Sequence, residues 1–77
     1  MSKFTDHEGV VLRLTEYGLG VVEDNASREQ FTFTFDKIRG YRGEEPKELG
    51  LHVGSEVWFS ATVDTGVIVS VRLNKLP

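Results

Sequence analysis

The stretch Lys37-Ile38-Arg39-Gly40-Tyr41-Arg42-Gly43 gathers three of the chain's nine basic residues around one tyrosine. Cations at that spacing pair with phosphates, a ring stacks on a base, and glycines let the backbone approach a ligand closely. The same residues also read as a solvated loop whose charge Glu44, Glu45 and Glu48 offset. The residue types alone leave both readings open.

Other candidate chemistry is sparse. His7 and His52 are the only histidines, and neither has a partner at metal-ligand spacing. His7 is expected in a mobile N-terminal segment, with a structural or solvent role. Gly18-x-Gly20 lacks the third glycine, the following helix and the lysine of a nucleotide loop. Its simpler task is to let a strand bend. None of Ser2, Ser27, Ser55, Ser60 and Ser70 sits in a nucleophile elbow. No catalytic constellation, cofactor motif or metal set emerges, and the chain is expected not to be an enzyme or to take a small-molecule substrate.

Size and composition agree with a binding role. Seventy-seven residues make one domain, residues 1–77, with a small core. The net charge of −3 argues against bulk phosphate binding but leaves room for a local basic patch. No cysteine is present, and a cytoplasmic compartment is the expectation. The segment Met1 to His7 has no apolar run of the kind a signal peptide needs, and no stretch is long enough to span a membrane.

The elements that must position these residues are strands, because apolar and polar residues alternate. In Phe31-Thr32-Phe33-Thr34-Phe35 three phenylalanines point one way, toward the core, and two threonines the other. Gly9 to Leu14 and Leu19 to Glu23 give two earlier strands. Residues 24–29 form a polar loop between the second strand and the Phe-rich one.

After a long connection from Arg39 to Ser55 come Glu56 to Val63 and Val67 to Leu73, joined by Asp64-Thr65-Gly66 as a hairpin. Alternation places Val57, Phe59, Ala61 and Val63 inward on one strand, and Val67, Val69, Val71 and Leu73 on the other. Trp58 and Ile68 then face outward. Within the connection, Pro46 to Leu49 reads as one helical turn with Gly50 past its end. Five short strands with one long connection after the third suit a small, nearly closed antiparallel barrel, all-β in class. An SH3-like barrel would give a similar string.

The motifs resemble those of the cold-shock domain family. Gly9-Val10-Val11 looks like that family's first strand. Tyr17-Gly18-Leu19-Gly20-Val21-Val22 resembles its first ribonucleoprotein motif, Lys-Gly-Phe-Gly-Phe-Ile. Phe31 to Ile38 resembles the second, Val-Phe-Val-His-Phe-Ser-x-Ile. Leu51 to Phe59 is similar to the Leu-x-x-Gly-x-x-Val-x-Phe that opens the fourth strand. The resemblance implies a five-stranded antiparallel OB-type, cold-shock-like barrel. It also implies a single strand of RNA or DNA lying across the outer face of strands one to three.

It puts Arg13, Leu19, Val21, Thr32, Thr34 and Phe35 where the family carries Trp, Phe, Phe, Phe, His and Phe. Tyr17 opens the first motif, and Lys37, Arg39, Tyr41 and Arg42 start beside the face. Of the six stacking positions only Phe35 keeps its ring. A guanidinium at Arg13 can stack in part; the other four lost rings at about 1 kcal/mol each remove roughly 4 kcal/mol, about a thousandfold in affinity.

Three partners are therefore in view. Single-stranded nucleic acid, bound more weakly than the family norm, leads. A protein partner or homodimer, contacted through Leu19 and Val21 or through Trp58 and Ile68, follows closely. The third is a ribosome-binding role like that of bacterial initiation factor one, whose Glu-Gly-x-Val opening resembles Glu8-Gly9-Val10-Val11.

Overall fold

A computed structural model describes residues 3–73. Met1, Ser2 and residues 74–77, which the readings of an N-terminal segment and of one domain over 1–77 include, lie outside the described residues. Five strands follow one another: β1 (Phe4–Leu14), β2 (Leu19–Asp24), β3 (Gln30–Thr34), β4 (Glu56–Thr62) and β5 (Ile68–Leu73). Two single 3₁₀ turns, Phe35–Lys37 and Pro46–Leu49, lie between β3 and β4. No helix among the described residues is long and apolar enough to cross a membrane.

The strands form one antiparallel sheet in the order β3-β2-β1-β4-β5. β1 to β3 are joined by short turns, and the long connection then returns β4 to lie beside β1. That is a Greek key, which separates this chain from a simple up-and-down barrel. β1 is long enough to serve both halves. Its residues Phe4–Val10 pair with β4 and Gly9–Leu14 with β2. The sheet curls until the segment after β3 meets β5. There Ile38 bridges Val71 in parallel, and the Arg39 N–H donates to the Val71 carbonyl at 2.8 Å. The result is a strongly curled all-β half-barrel, consistent with an OB-like barrel.

The alternation in β3 holds. Phe33 is buried, Phe31 is half-buried, and Thr32 and Thr34 face water. Phe33 lies over Gly20, where an added Cβ would stand 2.4 Å from the ring. Gly20 therefore leaves room for the core, in addition to any help it gives the bend. Val11, Val22, Val57, Phe59 and Val71 complete the centre of the barrel. The connection seals one end with Leu51, and Leu49 and Tyr41 pack against the core from the same side. The Pro46–Leu49 turn has the expected form: Glu45 and Glu48 make a capping box, and Gly50 closes it at φ 83°.

Three expectations need correction. β1 begins at Phe4, five residues before Gly9, so His7 belongs to a strand and not to a mobile segment. Ile68 is buried and Val69 exposed, the reverse of the alternation reading. The cause is a bulge: Ser60 pairs with Ser70 and Ala61 with Ile68, so Val69 is an extra residue that restores Ile68 to the inner face. Val63 and Val67 fall in the hairpin, outside both strands, and both are exposed. With Ile68 inside, the outward Trp58–Ile68 pair does not exist. Trp58 is flanked across the sheet by Glu8 and Arg72.

Candidate ligand-binding surface

The outer face of β1–β3 is built as two cross-strand rows. Arg13 pairs with Val21 and Val21 with Thr32; beside them Leu19 pairs with Thr34. Arg13, Leu19, Thr32 and Thr34 are exposed and Val21 is half-buried. A bulge between Val11 and Arg13 leaves Leu12 exposed as well, and a shallow depression of about 250 Å³ lies among Leu12, Arg13, Val21 and Gln30. The face therefore carries one guanidinium, aliphatic groups and hydroxyls, as the resemblance implied.

Phe35 is not on that face. β3 ends at Thr34, and the chain turns into the 3₁₀ segment with the Phe35 N–H donating to the Gly18 carbonyl at 3.0 Å. The ring goes inward, 7% exposed, with its centroid 6.5 Å from that of Phe33 and 6.3 Å from that of Tyr41. The ring retained from the family pattern is thus a core residue and not a stacking platform. The alternation reading had placed it correctly; the carry-over by resemblance had not.

The other expected residues lie elsewhere. Tyr17 tops the β1–β2 turn and is 84% exposed. Thr15 shapes that turn: its hydroxyl oxygen accepts from the Tyr17 and Leu19 N–H groups at 3.3 and 3.2 Å, and Gly18 supplies φ 88°. Tyr41 is half-buried, edge-on to Phe35. Lys37 is half-buried, 3.9 Å from the Asp36 carboxylate. Arg39 and Arg42 are exposed, and the Arg42 N–H donates to the Glu44 carboxylate.

A groove of about 620 Å³ lies between the β1–β2 turn and the long connection. Tyr17, Phe35, Tyr41, Pro46, Leu51 and Val53 supply its apolar walls, and Glu16, Glu44, Glu45, Lys47 and His52 its polar ones. Tyr17, Phe35 and Tyr41, which the sequence reading assigned to a nucleic-acid surface, meet here and not on the strand face. Of the groove's carboxylates, Glu44 and Glu45 were read only as charge offsetting the basic stretch, and Glu16 was given no role. Their convergence with Tyr17 depends on contacts between distant segments, which no local spacing reveals. The N–H groups of Glu44 itself and of Arg42 donate to the Glu44 carboxylate and hold its pKa below the ordinary value.

A second polar cluster lies at the other end of β1. The Thr5 Oγ1 is 2.8 Å from His7 Nε2, and His7 Nδ1 is 3.0 Å from Asp24 Oδ2. The His7 ring stacks on Phe59 at 5.0 Å. Asp24 is buried and also accepts from the Ala26 N–H and the Ser27 hydroxyl. The connectivity is that of a hydroxyl–imidazole–carboxylate relay. Acyl-transfer chemistry also needs a seat for the reacting carbonyl beside the hydroxyl, and neither concavity described above touches Thr5 or His7. The cluster is a structural tie between β1 and the β2–β3 turn.

No family model, curated protein or solved structure matches this chain.

Proposed function

We propose that this chain is a small non-catalytic binding module on an OB-type, cold-shock-like barrel, and that its ligand is a segment of another protein seated in the groove beside Tyr17 and Tyr41. The observation that carries this reading is the burial of Phe35. With that ring in the core, none of the six positions that the resemblance assigns to stacking carries an exposed ring. With Arg13 counted as a partial substitute, five missing rings at about 1 kcal/mol each amount to roughly 5 kcal/mol, more than three decades of affinity for a single strand. The groove has what the face lacks: aromatic and aliphatic walls, a few polar groups, and a size in the ordinary range for ligand sites. The absence of cysteine fits a reducing compartment, and we place the module in the cytoplasm on that ground.

A second reading, a weak binder of single-stranded RNA or DNA, is favoured by one feature. Arg13 stands exposed at the shallow depression with Val21 and Gln30, where a guanidinium stacks on a base or pairs with a phosphate.

Selection from a displayed library of random heptapeptides tests the first reading. It predicts enriched peptides whose binding is lost when Val53, exposed at the groove, is changed to Asp. Enrichment that ignores Val53→Asp, or none at all, contradicts it.

A further inference from the structure

We propose that the groove recognises an arginine side chain of the partner segment; this inference rests on the protein-binding reading above. Its walls and rim select among ligand chemistries. Glu16, Glu44 and Glu45 line the groove; Lys47 also lines it, with its Nζ 3.4 Å from the Glu45 carboxylate, and the Arg42 charge acts on Glu44. Three carboxylates against these two cations leave the groove net negative, and two backbone N–H groups together with the Arg42 charge favour the ionised form of Glu44. A phosphate or a carboxylate ligand is repelled there. A leucine would cover those carboxylates without replacing their water, which costs free energy.

A guanidinium satisfies both parts of the groove. Its plane stacks on tyrosine, and its fork of N–H donors meets a carboxylate with two parallel hydrogen bonds. The Tyr41 ring is already fixed by its edge-on packing against Phe35, at 6.3 Å and 65°, so little rotamer freedom is lost on binding. Tyr17 stands fully open across the groove on a turn braced by Thr15. Lysine has the charge but neither the plane nor the fork. About 620 Å³ exceeds one side chain, so neighbouring residues of the segment also enter.

The test uses the full chain, ¹⁵N-labelled, and capped pentapeptides Gly-Gly-Xaa-Gly-Gly with Arg, Lys, Leu or Glu at Xaa. The Arg peptide is expected to give saturable amide shifts at residues 15–18 and 41–45. Lys should bind several-fold more weakly, and Leu and Glu should give no saturable shift. Tyr17→Ala and Glu44→Gln should each weaken the Arg peptide about three- to tenfold. Tyr17 is exposed and glutamine matches glutamate in shape, so neither change threatens the fold.

Equal shifts from the Arg and Leu peptides overturn the arginine assignment and leave a protein segment as the ligand. Non-saturable shifts spread over the acidic surface also overturn it. If no peptide shifts the groove while a pyrimidine oligonucleotide gives saturable shifts on β1–β3, the arginine assignment and the protein reading fall together.

Discussion

The His7 imidazole stands 3.0 Å from the buried Asp24 carboxylate and ties the N-terminal half of β1 to the turn after β2. β1 and β2 stop pairing at Gly9 and Asp24; beyond that point Phe4–Glu8 pair with β4, and the Asn25 N–H donates to the Glu8 carbonyl at 2.9 Å. An ionised carboxylate only accepts, so His7 Nδ1 carries a proton and donates it to the hydrogen bond with Asp24. Phe59 and Phe31 hold the ring in place.

Asp24→Ala leaves the His7 Nδ1–H, the Ala26 N–H and the Ser27 hydroxyl without their acceptor. The expected cost is about 2 kcal/mol, read from urea unfolding midpoints. Burial pushes the Asp24 carboxyl up, but hydrogen bonds from Ala26, His7 and Ser27, with the charge on His7, outweigh it and leave the pKa below its ordinary 3.8. A carboxyl lowered on folding stabilises the native state above its ordinary value, and that contribution is lost as pH falls through the lowered one. Wild-type protein should therefore lose more stability than Asp24→Asn between neutral pH and about pH 3. Equal losses would show that the carboxylate is not held in this way.

The bulge in β5 makes an opposite pair of predictions for two neighbouring residues. Ile68 is 2% exposed, so Ile68→Ala should cost about 2–5 kcal/mol. Val69 is 37% exposed, so Val69→Ala should cost under about 1 kcal/mol. Plain alternation across the hairpin predicts the reverse order, and thermal denaturation of the two variants separates them.

Gly20→Ala places a methyl group within the Phe33 ring's van der Waals radius. Overpacking of this kind costs about 1–3 kcal/mol. Gly20→Ala combined with Phe33→Leu should recover part of the loss, and a double-mutant cycle measures the coupling. Additive effects would mean that the ring does not rest on Gly20.

The parts of the fold legible in the sequence are those whose signal is local. Alternation placed Phe33 inside with Thr32 and Thr34 outside, Pro46 and Gly50 bounded a single turn, and Gly66 marked the hairpin. The bulges at Leu12 and Val69 escaped because each adds one residue without changing composition, and every side chain beyond it swaps faces. His7 was misplaced because its partners, Asp24, Phe31 and Phe59, are far away in sequence. The candidate site was half legible. The outward placement of Arg13, Leu19, Val21, Thr32 and Thr34 was legible, whereas the groove exists only where the β1–β2 turn meets residues 41–53.

If missing rings are what weakens nucleic-acid binding, restoring them should strengthen it. Val21 and Thr32 are direct cross-strand partners on the outer face. Val21→Phe with Thr32→Phe should gain about 1–3 kcal/mol per stacked base, tenfold or more for a short pyrimidine oligonucleotide in fluorescence anisotropy. No gain from a folded double variant would mean that the face fails for a reason other than lost rings.

The most direct measurement is a titration of the ¹⁵N-labelled chain with a short pyrimidine oligonucleotide at low salt, following the amides of Arg13, Leu19, Val21, Thr32 and Thr34. A barrel whose face has no ring to stack on predicts weak, non-saturating shifts at millimolar ligand, while the groove remains open to an arginine peptide. Saturable, salt-sensitive shifts on those five residues at micromolar oligonucleotide would contradict the account and make single-stranded nucleic acid the ligand.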